Sequence, residues 1–293
     1  LGPGKTWAAN NSEAQMYIDG STISYNGNLW KNETTSYYWP KDGGSLTFFA
    51  YSYNKKDMTV GDNSGFACVW ALGEDGQYQG GITGHFDVAT NKNVDFLVAD
   101  IAADKTENEN NYAHTGVPTL FRHKLSMVNV AANLAEDYAN KKFILNSVKF
   151  TNLCHYATYS QIPEKMIPGG NMFLSDQVYA ENVGFEVKSG GLIAVPAEIK
   201  KGAGVEDGQY IYIPQEFNDN SYIVITYTVE TVVGNNVVKE ECTKTVKVKD
   251  VFPKWEMGHR YTFNLTFSLN EIHWDPAVEN WIDDEAGKIT IDR

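Results

Sequence analysis

Apolar and polar residues alternate along much of the chain with a period of two, which is the period of a β-strand. The clearest stretch is residues 260–270, where apolar side chains occupy every second position: Tyr261, Phe263, Leu265, Phe267 and Leu269. Side chains two residues apart share one face of a strand, whereas a helix would scatter them around its circumference. This stretch therefore predicts a strand with one buried face.

A second alternating pattern covers residues 221–233 and continues, after Gly234-Asn235-Asn236, into residues 237–249. Its inward positions are occupied by apolar side chains: Ile223, Ile225, Tyr227 and Val229. Glycine and asparagine tolerate the positive φ angles that tight hairpin turns require. The pattern therefore predicts a long β-hairpin with its turn at the Gly-Asn-Asn link.

Shorter segments of the same character predict further strands: residues 15–18, 21–25, 45–53, 93–98, 124–130, 143–153 and 210–213. The first two are joined by Asp19-Gly20, a favoured turn pair, and predict a hairpin. Helical candidates are few and short, and the best of them is residues 131–142. The predicted fold class is all-β.

A polar stretch at residues 104–116 separates two blocks of strands. It is rich in Asn and Glu and lacks an apolar period, which is typical of a loop or linker. A chain of 293 residues is long enough for two domains that each bury a core. Many short strands in two blocks predict two β-sandwich domains in tandem, comprising residues 1–116 and 117–293.

The net charge and the amino-acid composition argue against some classes of binding partner. A formal net charge of −13 repels phosphate groups and argues against nucleic acid as a partner. No stretch of 18 apolar residues is present, and the sequence from Leu1 onward lacks a signal-peptide pattern. We expect the chain to be a mature or truncated form of an exported precursor.

Motifs of catalytic and nucleotide-binding sites are absent. The chain contains no GxSxG, GxxxxGK[ST], HExxH or strand-linked GxGxxG pattern. The six histidines do not fall at metal-ligand spacing, and the densest carboxylates, at residues 107–109 and 283–285, are interpreted as solvated loop acids. We therefore expect no catalytic residue, no metal site and no cofactor.

Three cysteines, Cys68, Cys154 and Cys242, lie far apart without zinc-site spacing. Cys242 shares strand parity with Val238 and Val246, so we expect it to face a core. Isolated buried cysteines usually behave as small apolar side chains. Free thiols are the favoured interpretation, and one disulfide among the three is the alternative.

Aromatic residues cluster in a loop-like segment at Trp30, Tyr37, Tyr38 and Trp39. Exposed aromatic faces can stack on sugar rings, which makes Trp30, Tyr37 and Trp39 candidate ligand-binding residues. Trp and Tyr also close the ends of β-sandwich cores, with their polar tips in water. For this cluster we favour the role in the core.

The C-terminal third carries a series of short motifs that resembles one protein family. Residues 255–265 read W-x-x-G-x-x-Y-x-F-x-L and are followed by Asn270-Glu-Ile272 and Val278-Glu-Asn-Trp281. Tyr212-Ile-Pro-Gln215 and Phe121-Arg-His123 precede them in the expected order. With Tyr38-Trp-Pro40, these motifs extend from about residue 38 to residue 281, and together they resemble the fimbrillin-like (Mfa-type) proteins of Bacteroidetes.

The resemblance implies two transthyretin-like β-sandwiches and a role as a fimbrial (pilus) subunit or cell-surface adhesin. It also implies export as a lipoprotein precursor to the outer membrane or fimbrium. The implied partners are other fimbrial subunits, in a homo- or hetero-polymer, and a host or bacterial surface glycan or protein.

Related pilins polymerise by strand exchange, and the resemblance suggests the same mode here. We hypothesise that residues 288–292 can act as a donor strand, with Ile289 and Ile291 as anchors on one face. From the sequence we favour the alternative, in which this strand pairs within its own domain.

Two rival functions come from other classes. A surface carbohydrate-binding module would use Trp30, Tyr37 and Trp39 to stack on sugars. A hydrolase with dispersed acids is the second rival, and it has no supporting motif in the sequence.

Overall fold

The structure is a computed structural model, and its described residues are mostly in strands. It describes residues 1–18, 20–28, 30–32, 34–53, 65–68, 71–72, 78–79, 82–87, 94–109, 112, 116–154, 156–160, 171–173, 185–186, 196–202, 205–269 and 272–280. The helices with described bounds are single turns, α1 (Trp7–Asn10) and α2 (Val248–Val251), with a 3-10 turn at Asn11–Glu13. The predicted all-β class is confirmed.

The strands are numbered in chain order. The first ten are β1 (Ser24–Tyr25), β2 (Trp30–Lys31), β3 (Leu46–Phe48), β4 (Tyr51–Tyr53), β5 (Gly65–Cys68), β6 (Ala71–Leu72), β7 (Tyr78–Gln79), β8 (Ile82–Asp87), β9 (Phe96–Ala99) and β10 (Ala102–Lys105). The others are β11 (Phe121–His123), β12 (Ser126–Leu134), β13 (Lys141–Thr151), β14 (Tyr156–Ser160), β15 (Asn171–Phe173), β16 (Phe185–Glu186), β17 (Ala197–Ile199), β18 (Val205–Tyr212), β19 (Gln215–Glu216), β20 (Tyr222–Val233), β21 (Asn236–Lys247), β22 (Lys254–Trp255), β23 (His259–Phe267) and β24 (Ile272–Asn280).

Two sheets pack face to face around the larger core. One has the strand order β18-β12-β23-β24, and the other has the order β16-β13-β20-β21, with β17 also paired to β13. Within the first sheet β12 and β23 run parallel, and its other pairs are antiparallel. Aromatic rings fill the space between the sheets: Phe150 lies 5.4 Å from Phe263, and Phe143 lies 6.5 Å from Phe267. This arrangement is a β-sandwich.

The alternation at residues 260–270 produces β23 as predicted, up to its last apolar position. Its core-facing side chains are buried: Tyr261, Phe263, Leu265 and Phe267. The prediction for Leu269 is wrong, because that side chain is exposed. Phe267 pairs with Ile272 as the last rung between β23 and β24, so Leu269 lies in the connecting loop beyond the ladder.

β20 and β21 form the predicted hairpin. Val233 pairs with Asn236, which makes the turn two residues long, one residue shorter than predicted. Gly234 occupies the turn with φ of 62°, a conformation that glycine adopts without steric cost. Ile223, Ile225 and Val229 are buried and Tyr227 is half-buried, so the predicted inward face is confirmed.

Two local predictions are wrong. Residues 131–142 form no helix: β12 continues to Leu134, where buried Ala132 and Leu134 follow the period of two. The first hairpin joins β1 to β2 rather than residues 15–18 to 21–25. Its turn uses Gly27, with φ of 94°, and a hydrogen bond from the Asn28 backbone N–H to Asn26 Oδ1. Asp19 lies outside the described residues.

A second buried cluster joins strands from before and after residue 116. Its members come from several strands and connections: Phe96, Val98, Leu125, Met127, Cys154, Ala157, Tyr159, Ile211 and Ile213. In the same region β9 pairs with β11, and β8 pairs with β14. Backbone pairing therefore crosses residue 116, and the division into tandem transthyretin-like domains of residues 1–116 and 117–293 stays a prediction.

Candidate assembly site

The sandwich has an edge bordered by β21 in one sheet and β24 in the other. Among the described strands, each of these two has a single hydrogen-bonded neighbour. β20 faces β23, because the rings of Tyr227 and Phe267 lie 5.1 Å apart, whereas β17 contacts β12 across the opposite part of the core. β21 and β24 therefore extend their sheets on the same side. We call the border formed by β21 and β24 the open edge.

Core-facing side chains are left uncovered at the open edge. Val278 pairs directly with Tyr261, and directly paired residues of antiparallel strands share a face. Tyr261 is 3% exposed, yet Val278 on the same inner face is 50% exposed. At the other end of β24, Ile272 on this face is 6% exposed. The inner face of β24 is thus covered at its start and uncovered near its end.

β21 carries charges at positions that point toward the core side. Glu240 pairs with Val229, and Lys244 pairs with Ile225, so both charges lie on the inner face, where they are exposed. Inward-pointing charges are a common device that prevents an edge strand from pairing with another chain. β24 has Pro276 opposite Phe263, which removes one backbone donor from that strand. β24 is nevertheless the better acceptor of an added strand, because its exposed inner-face residue Val278 is uncharged, whereas β21 exposes charged residues on that face.

The tip of the β20–β21 hairpin is apolar and exposed. Four valines form it, each between 47% and 59% exposed: Val232, Val233, Val237 and Val238. The tip extends past β13, whose first rung joins Lys141 to Thr231. An ion pair between Glu230 and Lys239, at 2.6 Å, lies next to it. We call these four residues the valine tip, an apolar contact area at one end of the open edge.

The predicted anchors Ile289 and Ile291 lie outside the described residues, the last of which is Asn280. The donor strand therefore stays a prediction. Residues 281–293 follow directly after β24, so the donor segment begins next to the strand that we consider the better acceptor.

The predicted core role is wrong for two of the three candidate aromatic residues. Trp30 is 55% exposed and Tyr37 is 38% exposed, because this segment runs along the surface. Trp39 is half-buried, with its ring 6.1 Å from that of Phe48, and so has part of the predicted packing role. The structure adds three exposed tyrosines that sequence reasoning did not select as candidates: Tyr17, Tyr25 and Tyr38.

The exposed rings are held in place by contacts with one another. The Tyr17 hydroxyl donates to the backbone oxygen of Tyr38 at 2.9 Å, and the rings of Tyr17 and Tyr37 lie 6.0 Å apart. The rings of Tyr25 and Trp30 lie 5.5 Å apart across the β1–β2 pair. We call Tyr17, Tyr25, Trp30, Tyr37 and Tyr38 the aromatic surface.

Tyr227 of β20 pairs with Cys242 of β21 at the open edge. Burial raises the pKa of Tyr227, and the neighbouring Cys242 thiol adds to the effect. Cys242 is half-buried and its thiol is free, as expected, and Cys154 is buried, whereas the side chain of Cys68 lies outside the description. In the described part of the chain, no three His, Cys, Asp or Glu side chains group as metal ligands. None of the helices described there is long and apolar enough to cross a membrane.

Solved structures of other proteins are similar to this chain. A solved fimbrial protein from Bacteroides vulgatus has a TM-score of 0.69 and 19% identity to this chain, with 94% of this chain and 90% of that one covered. A proposed cell adhesion protein from Bacteroides uniformis has a TM-score of 0.48 and 15% identity, with coverages of 86% and 79%. The first likeness shows a shared fold, and no curated protein matches significantly.

The family model described as fimbrillin-like matches residues 5–281, which is most of the chain. Several of the motifs that suggested this resemblance lie in the sandwich, at the end of β18 and in β23 and β24. The chain belongs to the fimbrillin-like family.

Proposed function

We propose that this chain is a fimbrial subunit or cell-surface adhesin whose subunits join by β-strand addition. Membership of the fimbrillin-like family supports the fimbrial or adhesive role, as does the fold shared with a fimbrial protein from Bacteroides vulgatus. The observation that carries strand addition is Val278, a core-facing residue of an edge strand that is 50% exposed.

A donated strand would complete the sheet at β24. The unpaired N–H and C=O groups of an edge strand are a template for another strand. Ile289 and Ile291 share one face of the donor and would cover the inner face near Val278. Their burial would contribute on the order of 3–6 kcal/mol.

The two isoleucines alone do not offset the free energy of bringing two subunits together. The lost translational and rotational freedom costs about 4–15 kcal/mol. The backbone ladder, at about 0.5–1.5 kcal/mol per hydrogen bond, and burial of the valine tip supply the further stabilisation. Stable assembly therefore requires both the donor strand and contacts around the open edge.

The proposal places the protein on the cell surface, in the outer membrane or a fimbrium, after export as a lipoprotein precursor. Its partners there are other fimbrial subunits, and its role is structural rather than catalytic. Immunogold labelling of cells with and without this protein tests the location. Label on filaments is the expected result, and filaments that carry no label would contradict it.

Strand addition is tested by changing the donor face. Deletion of residues 283–293, or the double substitution Ile289→Asp and Ile291→Asp, is expected to abolish multimers seen by light scattering and electron microscopy. Thr290→Asp places one negative charge on the opposite face of the strand and is the control for the single variant Ile289→Asp. Multimers that persist in the deletion variant would rule out the donor role.

A further inference from the structure

Exposed aromatic side chains are concentrated in the aromatic surface. Among the residues whose burial the structure describes, the exposed Tyr and Trp side chains all lie within residues 17–38: Tyr17, Tyr25, Trp30, Tyr37 and Tyr38. Their exposure ranges from 38% for Tyr37 to 71% for Tyr38. Scattered single apolar residues are ordinary on protein surfaces, but a concentration of rings marks a recognition site.

Hydrogen bonds fix three of the five rings before any ligand arrives. The hydroxyl groups of Tyr17 and Tyr25 donate to the backbone oxygens of Tyr38 and Gly27, both at 2.9 Å. The hydroxyl of Tyr37 is hydrogen-bonded to Ser21 Oγ. These contacts hold the polar ends of the rings against the protein. A preorganised ring loses little conformational entropy when a ligand covers it.

The sequence segment that carries the rings contains few charged residues and many uncharged polar ones. Residues 15–39 contain three charged residues, Asp19, Lys31 and Glu33, in a chain whose net charge is −13. The same 25 residues contain ten amide or hydroxyl side chains: Gln15, Ser21, Thr22, Ser24, Asn26, Asn28, Asn32, Thr34, Thr35 and Ser36. This composition favours a neutral ligand that has many hydroxyl groups, because amides and hydroxyls both donate and accept hydrogen bonds.

The area of the surface fits a small ligand better than a protein partner. An aromatic side chain buries about 150–250 Å² when it is fully covered, so five half-exposed rings offer roughly 500 Å². A standard protein interface requires about 800 Å² on each partner. The two ring pairs also lie near each other, because Ser21 contacts Tyr37 and is at most about 14 Å from Tyr25 along the chain.

We propose that the aromatic surface binds a neutral oligosaccharide. The apolar C–H faces of the sugar rings stack on Trp30 and the tyrosines, and the sugar hydroxyls pair with the surrounding amides and hydroxyls. The site shares no residue with the open edge, so glycan binding is expected to be independent of strand addition. Trp39 packs its ring against Phe48 and is not one of the proposed ligand contacts.

The test uses purified full-length chain on an array of neutral and acidic oligosaccharides, and then on mucin before and after chemical removal of its glycans. The expected result is binding to neutral glycans and to intact mucin. Trp30→Ala and Tyr38→Ala are each expected to weaken binding by about tenfold, and their double variant further. Leu120→Ala removes an equally exposed apolar side chain elsewhere and serves as the matched control without effect.

Saturation-transfer NMR supplies an independent readout, since sugar C–H protons that stack on the rings are expected to receive the transfer. The Ile289→Asp and Ile291→Asp variant is expected to keep full glycan binding, which separates this site from assembly. Absence of glycan binding, or equal affinity in the ring variants, would overturn the proposal. Binding that survives deglycosylation of mucin would also overturn it and would identify a protein partner instead.

Discussion

The side-chain amide of Gln215 forms two hydrogen bonds with the backbone of Cys154. Its Oε1 accepts from the Cys154 backbone N–H at 2.8 Å, and its Nε2 donates to the Cys154 backbone oxygen at 3.1 Å. Nε2 also donates to the Ile213 backbone oxygen at 2.9 Å. Gln215 is 2% exposed, so these bonds satisfy backbone groups that water does not reach. They join segments 61 residues apart in the chain.

Loss of the Gln215 amide is expected to destabilise the fold. Gln215→Leu leaves the buried N–H and C=O of Cys154 without these partners, at a cost of about 2–4 kcal/mol in the free energy of unfolding. Urea titration measures this change. Glu216→Ala, at the exposed neighbouring position, is the matched control and is expected to stay within about 0.5 kcal/mol. Equal stability of the Leu variant and the wild type would contradict the role of the amide.

Sequence alternation places Phe263 and Leu269 on one face of β23, but Phe263 is buried and Leu269 is exposed. Phe263 lies 4.9 Å from Phe252 and 5.4 Å from Phe150, so Phe263→Ala is expected to lower the free energy of unfolding by about 3–5 kcal/mol. Leu269→Ala, in the exposed loop, is expected to change it by less than about 0.5 kcal/mol. Denaturant titration of both variants measures the difference. A large loss for Leu269→Ala would mean that β23 continues beyond Phe267.

Asp219 is expected to titrate below the ordinary range of an aspartate. Hydrogen bonds from Lys249 and then Lys247 lower the pKa of its carboxyl group. A depressed folded-state pKa means that the stabilisation is present above the unfolded pKa and is lost as the pH falls through the folded pKa. The carboxyl is fully exposed, so the effect on stability is small and is screened by salt. NMR titration of the Asp219 carboxyl measures the pKa, which is expected to rise toward the ordinary value in Lys249→Ala.

Sequence periodicity predicts the strands that have one buried and one solvated face. β23 and β20 are of this kind, because their buried residues repeat every two positions. The C-terminal part of β12 was missed for a physical reason. Its Ala131, Ala132 and Asn133 have little strand propensity, and its parallel partner β23 lies about 130 residues away. Tertiary pairing decides the conformation there.

The aromatic surface and the open edge were only partly predictable from the sequence, because exposure also depends on tertiary contacts. Trp30 and Tyr37 stand out in the sequence, but whether a ring closes a core or faces solvent depends on which sheet covers it. The exposure of Val278 likewise depends on which strands lie beside β24 rather than on its own alternation. The Gln215–Cys154 contact joins distant segments and leaves no local pattern.

Disulfide trapping between two differently labelled subunits tests strand addition most directly. One subunit carries Val278→Cys and the other carries Ile289→Cys, both in a background with Cys242→Ser. The proposal predicts a mixed disulfide dimer when the two are combined, and none when Thr290→Cys, on the opposite face, replaces Ile289→Cys. A disulfide that forms only within a single chain carrying both cysteines would show that residues 288–292 complete their own subunit, and would contradict assembly through the open edge.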